Sequence, residues 1–302
     1  MSRNVTIGFS GPAARVQYWL LMALFRVAVT RGLFGRFARG LGRLFPAANA
    51  VFVRHDREPP FKIYLNDGYW TRFALFHTAY EPEVERVLHL AAGHTNVFCD
   101  LGANKGYWSV RAAPHFARIH AVEASTETFA TLVENTRDLP NVTRHKRAIH
   151  SETGKKLQFL NVPLSHASAR LADATEGADE TVETIAIDDL IPPGTAALIK
   201  LDVEGAEIAA FDGGKRALQD GSVFIYEDHG NDPDCLPSAH LLGNVKNCIY
   251  FVANKPENLS SIDAIRAVKT DRYKGYNFLV ARQDSALLKA ILEGFANRHA
   301  EG

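Results

Sequence analysis

The stretch Asn96-Val97-Phe98-Cys99-Asp100-Leu101-Gly102-Ala103-Asn104-Lys105-Gly106-Tyr107-Trp108 constrains what this chain can fold into more than any other. A short apolar run, Val97-Phe98-Cys99, meets an acid and then a loop in which Gly102 and Gly106 enclose Ala103-Asn104-Lys105; Tyr107 to Ala113 can then begin a helix. The pattern is strand, glycine turn, helix. Glycines let a backbone turn sharply and come close to a ligand, and the free N–H groups at a helix start favour a negatively charged group. A ligand seated here is held mainly by backbone.

The run Arg118-Ile119-His120-Ala121-Val122-Glu123 reads as a second strand ending in an acid seventeen residues after Gly106. A carboxylate in that place can accept both hydroxyl hydrogens of a ribose. The loop is Asp-x-Gly-x-x-x-Gly and lacks the closely set first glycine pair that receives a dinucleotide pyrophosphate. The reading is therefore S-adenosylmethionine. A third piece, Ala197-Leu198-Ile199-Lys200-Leu201-Asp202-Val203-Glu204-Gly205-Ala206-Glu207, is a buried-type strand running into a loop with three carboxylates.

Together, DLGANKG, VEAS and LIKLDVEGAE resemble the FkbM-type family of S-adenosylmethionine-dependent methyltransferases over roughly Ala79 to Glu227, about half the chain. The resemblance implies a Rossmann-like, mostly parallel, seven-stranded methyltransferase sheet with helices on both faces. It also implies cofactor-binding roles for Asp100, Gly102, Asn104, Gly106 and Glu123, and a hydroxyl acceptor on a sugar, glycolipid or polyketide-like natural product. Two positions depart from the family pattern. Alanine follows the acid in Glu123-Ala124-Ser125 where a proline is usual, and Lys105 stands where an apolar residue is usual.

With 302 residues, 46% apolar and 23% charged, the chain can bury a full core. Three cysteines, Cys99, Cys235 and Cys248, show no CxxC spacing and leave an odd thiol in any pairing scheme, which suits a reducing, cytoplasmic setting. Net charge is zero, yet residues 1–55 hold eight arginines and no acid, so the other 247 residues carry 26 basic and 34 acidic side chains. The expected organisation is a basic amphipathic segment at 1–50, a small β extension at 51–80 and a methyltransferase domain at 81–302. Residues 1–11 read as loose. From Ala13 to Phe25 the chain is apolar and aromatic, and Arg26 cuts the run too short to span a bilayer.

Arg36, Arg39 and Arg43 fall on one helical face, and Phe34, Phe37, Leu41 and Phe45 largely on the other. Residues 15–45 are therefore either a helical region packed on the domain with arginines in water or a peripheral contact with a membrane surface. Nucleic acid is not an expected partner, since the segment has no lysine and its aromatics suit burial.

Beyond Glu123, Ser125 can cap a helix reaching Arg137, and Val142 to Ile149 reads as a third strand whose end, near Arg147-Ala148, is expected to approach the adenine. Residues 164–180 are small and polar and are expected to form a loop over the site. Val223-Phe224-Ile225-Tyr226 is a fifth core strand ending in Glu227-Asp228-His229. Strand and helix alternate to the end, giving an α/β fold with a mostly parallel sheet and a late antiparallel hairpin.

Ligands of open α/β sheets sit outside the carboxyl ends of the strands, so Asp100, Glu123, Asp202 and the Glu227–His229 cluster are expected to share one crevice. Methyl transfer to an alcohol needs an aligned acceptor and a base. Asp202 and His229 are the candidate bases, and Glu204 and Glu227 the candidate acceptor-binding acids. Asp202, Glu204, Glu227 and Asp228 offer hard oxygen ligands that suit magnesium, but their spacing does not select a metal site and none is expected.

The expected activity is O-methylation. The alternatives are N-methylation of an amino sugar or small amine, where a neutral acceptor needs no base, and a non-catalytic cofactor-binding protein at a membrane. The chain is expected to bind S-adenosylmethionine and its demethylated product in preference to nicotinamide dinucleotides. Calorimetry with each ligand checks this, and tight NAD binding without S-adenosylmethionine binding overturns the reading.

Overall fold

The computed structural model, which describes residues 5–28, 34–56, 58–77, 79–160, 170–171, 180–203, 205–244, 246–253 and 255–299, divides into two units, Met1–Glu81 and Pro82–Gly302. The first unit opens with β1 (Val5–Phe9), where a loose segment was expected. Val5, Ile7 and Phe9 alternate with smaller residues, a pattern too short to stand out in sequence. Antiparallel pairing with β2, in register from Val5 opposite His55 to Phe9 opposite Val51, supplies the missing stabilisation.

Helices α1 (Pro12–Ala28) and α2 (Phe34–Gly42) precede β2 (Ala50–His55), β3 (Phe61–Tyr64) and α3 (Thr71–Phe76). The β1–β2 ladder joins residues on both sides of position 50 into one unit. In α1 the buried positions are Ala14, Gln17, Tyr18, Leu21 and Phe25, one stripe at helical spacing. Gln17 Oε1 accepts from Asn49 Nδ2 at 2.8 Å, which satisfies a polar group inside that stripe. The second helix departs from the expected aromatic face. Phe37 is exposed, and α2 seats on Ala38 and Gly42. A Cβ on Gly42 would lie 2.8 Å from Asn66 Cβ, so the close approach admits only glycine.

The second unit starts with α4 (Pro82–Ala91), whose proline and first-turn Glu83 and Glu85 suit a helix start and whose Val84, Val87, Leu88 and Ala91 are buried. There follow β4 (Val97–Leu101), α5 (Tyr107–Ala112), β5 (Arg118–Glu123), α6 (Thr126–Thr136), capped by Ser125 as expected, and β6 (Val142–Lys146). The single third strand expected over 142–149 is divided. After Arg147, β7 (Ala148–Ile149) leaves the main sheet for a smaller one with β8 (Lys156–Leu160), β9 (Arg170–Leu171) and β10 (Glu180–Ile185), in the order β7-β10-β8-β9. Most of the expected loop at 164–180 lies outside the described residues.

The remaining elements are α7 (Ile187–Leu190), β11 (Leu198–Leu201), α8 (Glu207–Asp212), α9 (Lys215–Gln219), β12 (Val223–His229), α10 (Leu236–Leu242), β13 (Asn247–Phe251), β14 (Glu257–Leu259), α11 (Ile262–Val268), β15 (Gly275–Arg282) and α12 (Ala286–His299).

The main sheet runs β14-β13-β15-β12-β11-β4-β5-β6. The five strands from β6 to β12 are parallel, and β15 enters antiparallel between β12 and β13. The expected α/β architecture is matched in outline, but the sheet is mixed, with four parallel and three antiparallel pairings, and an eighth strand, β14, pairs antiparallel with β13 at the edge. Its sequence, Glu257-Asn258-Leu259, is too short and polar to announce a strand.

Alternation along the strands separates the faces. Cys99, Leu101, Ile199, Leu201, Phe224 and Tyr226 join one core with Ile187, Ala210, Phe211, Ala217, Leu241 and Ile265 of α7 to α11. Phe98 turns the other way and packs on Phe116 after α5.

Behind β12, the Tyr226 hydroxyl lies 2.8 Å from Ser238 Oγ, and Ser238 donates to Asp228 Oδ2 at 2.6 Å. Asp228 is fully buried and also pairs with the buried Lys269 ammonium. Lys269 donates in addition to the Asp232 carbonyl at 2.7 Å. Removing one member of a buried pair strands the other's charge. Asp228→Ala is expected to cost about 3–5 kcal/mol of stability, read as a lower urea midpoint. An unchanged midpoint shows that the pair does not secure the α10–α11 side of the sheet.

Candidate functional site

Register places the candidate residues on a single face. Lys200 lies opposite Asp100 on one side and Ile225 on the other, and Asp100 lies opposite Ala121. Two residues on, at the carboxyl edge, come Asp202, Glu227 and Glu123, with His229 two further along β12. Asp228, expected in the same cluster, faces away into the Ser238–Lys269 network, because successive strand residues alternate. Glu204 lies outside the described residues.

The glycine loop is built by close backbone approach. Gly102 has φ +77°, and a Cβ there would sit 1.8 Å from the Asp202 carbonyl oxygen, so the loop after β4 and the loop after β11 touch only because Gly102 has no side chain. Asp202 N donates to the Leu101 carbonyl at 2.9 Å and completes the seam. Gly106 has φ +86° and faces α6, where a Cβ would meet Leu132 Cδ1 at 2.6 Å. Its absent side chain therefore admits the neighbouring helix. Asn104 also adopts a left-handed conformation, with φ 51°.

Glu123 is buried, with Oε2 accepting from Asn104 N at 2.9 Å and Oε1 from Ser125 N at 2.8 Å. Each oxygen keeps further acceptor capacity. Burial pushes its carboxyl up to about 7, against the opposing hydrogen bonds from Ser125, Asn104 and Ala124. The arrangement fits a ribose, with acceptor oxygens fixed at the strand tip by the loop that would pass the rest of the cofactor.

Asp100 is 1% exposed, accepts from Ser109 Oγ at 2.6 Å, and so ties the loop to α5 from behind. Burial raises its pKa, while Lys200 and Ser109 oppose the rise. Ala148 packs with Val182, and Ala124 borders that small cluster beside Glu123. Lys146, opposite Glu123 in register, pairs with Glu180 at 3.3 Å and roots the smaller sheet at the same edge.

Sequence reasoning assigned no role to Lys200. Its ammonium is buried and lies 2.8 Å from Asp202 Oδ2, and its field favours an ionised Asp100. The available signal was a lysine within an otherwise apolar strand, since such a charge is buried only with partners. Glu207, the last of the three carboxylates that follow β11, is drawn into the same cluster. Burial raises its carboxyl pKa, offset in part by backbone donors including Gly205 N at 3.1 Å and by His229. His229 Nδ1 lies 3.9 Å from Glu227 Oε1. Gly275, opposite His229, leaves the space that the Glu227 carboxylate fills, since a Cβ there would overlap Oε1.

This strand order, with a glycine loop after the first parallel strand, an acid at the tip of the second and an antiparallel strand next to the fifth, defines a Rossmann-like α/β sheet of the methyltransferase type. Residues 100–265 match the methyltransferase FkbM domain, and the chain belongs to that family. Its domain is therefore that of an S-adenosylmethionine-dependent methyltransferase.

The chain is 31% identical over 157 residues to the hexuronic acid methyltransferase AglP of Haloferax volcanii, a match covering 51% of this chain and 64% of that relative's length. Among solved structures, it is similar to a methyltransferase FkbM from Methylobacillus flagellatus, with 17% identity, TM-score 0.40, and coverage of 71% of this chain and 54% of the other. It is also similar to the O-methyltransferase TomG of Streptomyces achromogenes, with 14% identity, TM-score 0.37, and coverage of 70% and 86%.

The raised Glu123 pKa has a definite consequence for stability. The folded state holds this proton to a higher pH than the unfolded chain, so the group's contribution to stability falls as pH rises from the ordinary carboxylate range through about 7. Glu123→Gln is expected to flatten that part of the stability–pH curve of the free protein, measured by thermal melting. A variant curve parallel to the parent's overturns the assignment.

Proposed function

We propose that this protein is an S-adenosylmethionine-dependent O-methyltransferase whose acceptor is a hydroxyl of a sugar, glycolipid or related natural product. The observation that carries the reading is the gathering of the Gly102 loop, Glu123, Asp202 and His229 on one face at the carboxyl edge of a parallel sheet. Similarity to a hexuronic acid methyltransferase supports a sugar acceptor.

In this reading Glu123 accepts the ribose hydroxyls, and the backbone between Gly102 and Gly106 lines the cofactor, with Asn104 holding the loop to Glu123. Asp100 supports the loop from beneath through Ser109. Ala148, beside Ala124 in the small cluster, borders the adenine. The cofactor supplies an electrophilic methyl group, and the chain's own residues align the acceptor and take its proton.

His229 is the better placed base. Asp202 Oδ2 is engaged by the buried Lys200 ammonium, which favours its role as a fixed acceptor of a substrate hydroxyl. His229 is partly exposed, and the Glu227 carboxylate 3.9 Å from its Nδ1 would stabilise by charge the imidazolium formed on proton uptake. Glu227 and Glu204 then serve acceptor binding. N-methylation remains the second reading, and a proton-accepting histidine beside two carboxylates favours the alcohol.

His229→Asn is expected to lower kcat by roughly 10²–10⁴-fold with cofactor affinity unchanged, measured by transfer of labelled methyl groups to a polysaccharide or glycolipid extract. Glu123→Ala is expected to weaken S-adenosylmethionine binding by about 1–3 kcal/mol, by calorimetry. Full turnover in His229→Asn and Asp202→Asn alike removes both from the role of base.

A further inference from the structure

The structure exposes a second face of α1 that the fold does not use. Val16, Trp19, Leu20, Leu24 and Val27 are 55%, 57%, 44%, 38% and 59% exposed. Their spacing of i, i+3, i+4, i+8 and i+11 lays them along one stripe, opposite the buried Ala14, Gln17, Tyr18, Leu21 and Phe25. The helix is thus apolar on both sides, and only one side is covered. Arg15 and Arg26 stand exposed near the two ends of the stripe, and Arg36 and Arg43 are exposed on α2 and just after it. Through residue 55 the chain has eight arginines and no acid.

We propose that the outer face of α1 docks on an anionic phospholipid bilayer, with Trp19, Leu20 and Leu24 entering the interface and the arginines bound to headgroup phosphates. The chemistry selects this occupant over others. A second copy of the same face would bring like charges together, and a nucleic acid would leave the apolar stripe in water. An anionic bilayer answers both features: the stripe lies parallel to the interface, tryptophan suits the headgroup boundary, and arginine stems reach along apolar surface while their heads stay hydrated. Among the described residues no helix is long and apolar enough to cross a membrane. This surface carries no residue of the proposed catalytic site.

Trp19 provides its own reporter, because Trp70 and Trp108 are 4% and 3% exposed. With phosphatidylglycerol-containing vesicles at low salt, the full-length protein is expected to co-sediment. Its tryptophan emission should shift to the blue and be quenched by brominated lipid. Binding should weaken steeply as salt shortens the screening length and be lost with pure phosphatidylcholine vesicles.

Replacing Trp19 and Leu20 by serine should lower the partition coefficient by roughly a hundredfold, and each of Arg15→Gln, Arg36→Gln and Arg43→Gln by roughly fivefold. These side chains are exposed, so the variants should keep the parent circular dichroism and S-adenosylmethionine affinity. Those controls separate failure of this proposal from failure of the cofactor site. A folded protein that stays in the supernatant with anionic vesicles at low salt overturns the proposal. So does equal binding to neutral vesicles, or self-association that the serine variant abolishes, which would make a second copy the occupant.

Discussion

The carboxyl edge of the main sheet depends on one buried ammonium. Lys200 lies within a strand whose other residues are apolar and pairs at 2.8 Å with Asp202, while its field offsets the burial of Asp100. A charge in such surroundings persists only if its partners are fixed. That requirement couples the loop after β4 to the loop after β11. Asp100 is tied to α5 through Ser109, and the Asp202 backbone presses against Gly102 so closely that no side chain fits between them. Such an ion pair contributes little net stability once desolvation is counted, and its contribution here is geometric.

Around that seam the two faces of the sheet are divided by the simple alternation of strand residues. On β12, Tyr226 and Asp228 turn toward α10 and α11 and end in a saturated network with Ser238 and Lys269. Glu227 and His229 turn the other way and meet the cluster of Asp202 and Glu207. One strand therefore supplies a rigid anchor on one side and a set of titratable groups on the other. Acids that look equivalent in sequence acquire opposite roles from their parity alone.

The local elements that build the candidate site were legible in the sequence. The glycine loop, the acid closing β5, the Ser125 cap and the strand preceding Asp202 are all short-range patterns, and the structure places them where the patterns implied. What each residue does there was less legible. Asp100 and Gly106 belong to the loop motif, yet one bonds Ser109 from beneath and the other admits α6. Lys200 sat in the most distinctive segment without a role, because its partners come from a strand a hundred residues earlier in the chain and from the loop that follows it.

The sequence by itself determined the period of each long element, the caps, the turns and the residue types at the strand tips, because these follow from interactions within a few positions along the chain. Only the tertiary structure decided the pairing of β1 with β2, the departure of β7 into a second sheet and the addition of β14, since short strands gain their stability from distant partners. It also decided which side of α1 faces water. That helix is apolar around most of its circumference, so periodicity could not choose between Leu21 and Leu20. The choice rests on what packs against it, and the uncovered side follows from there being one core to cover and two faces able to enter it.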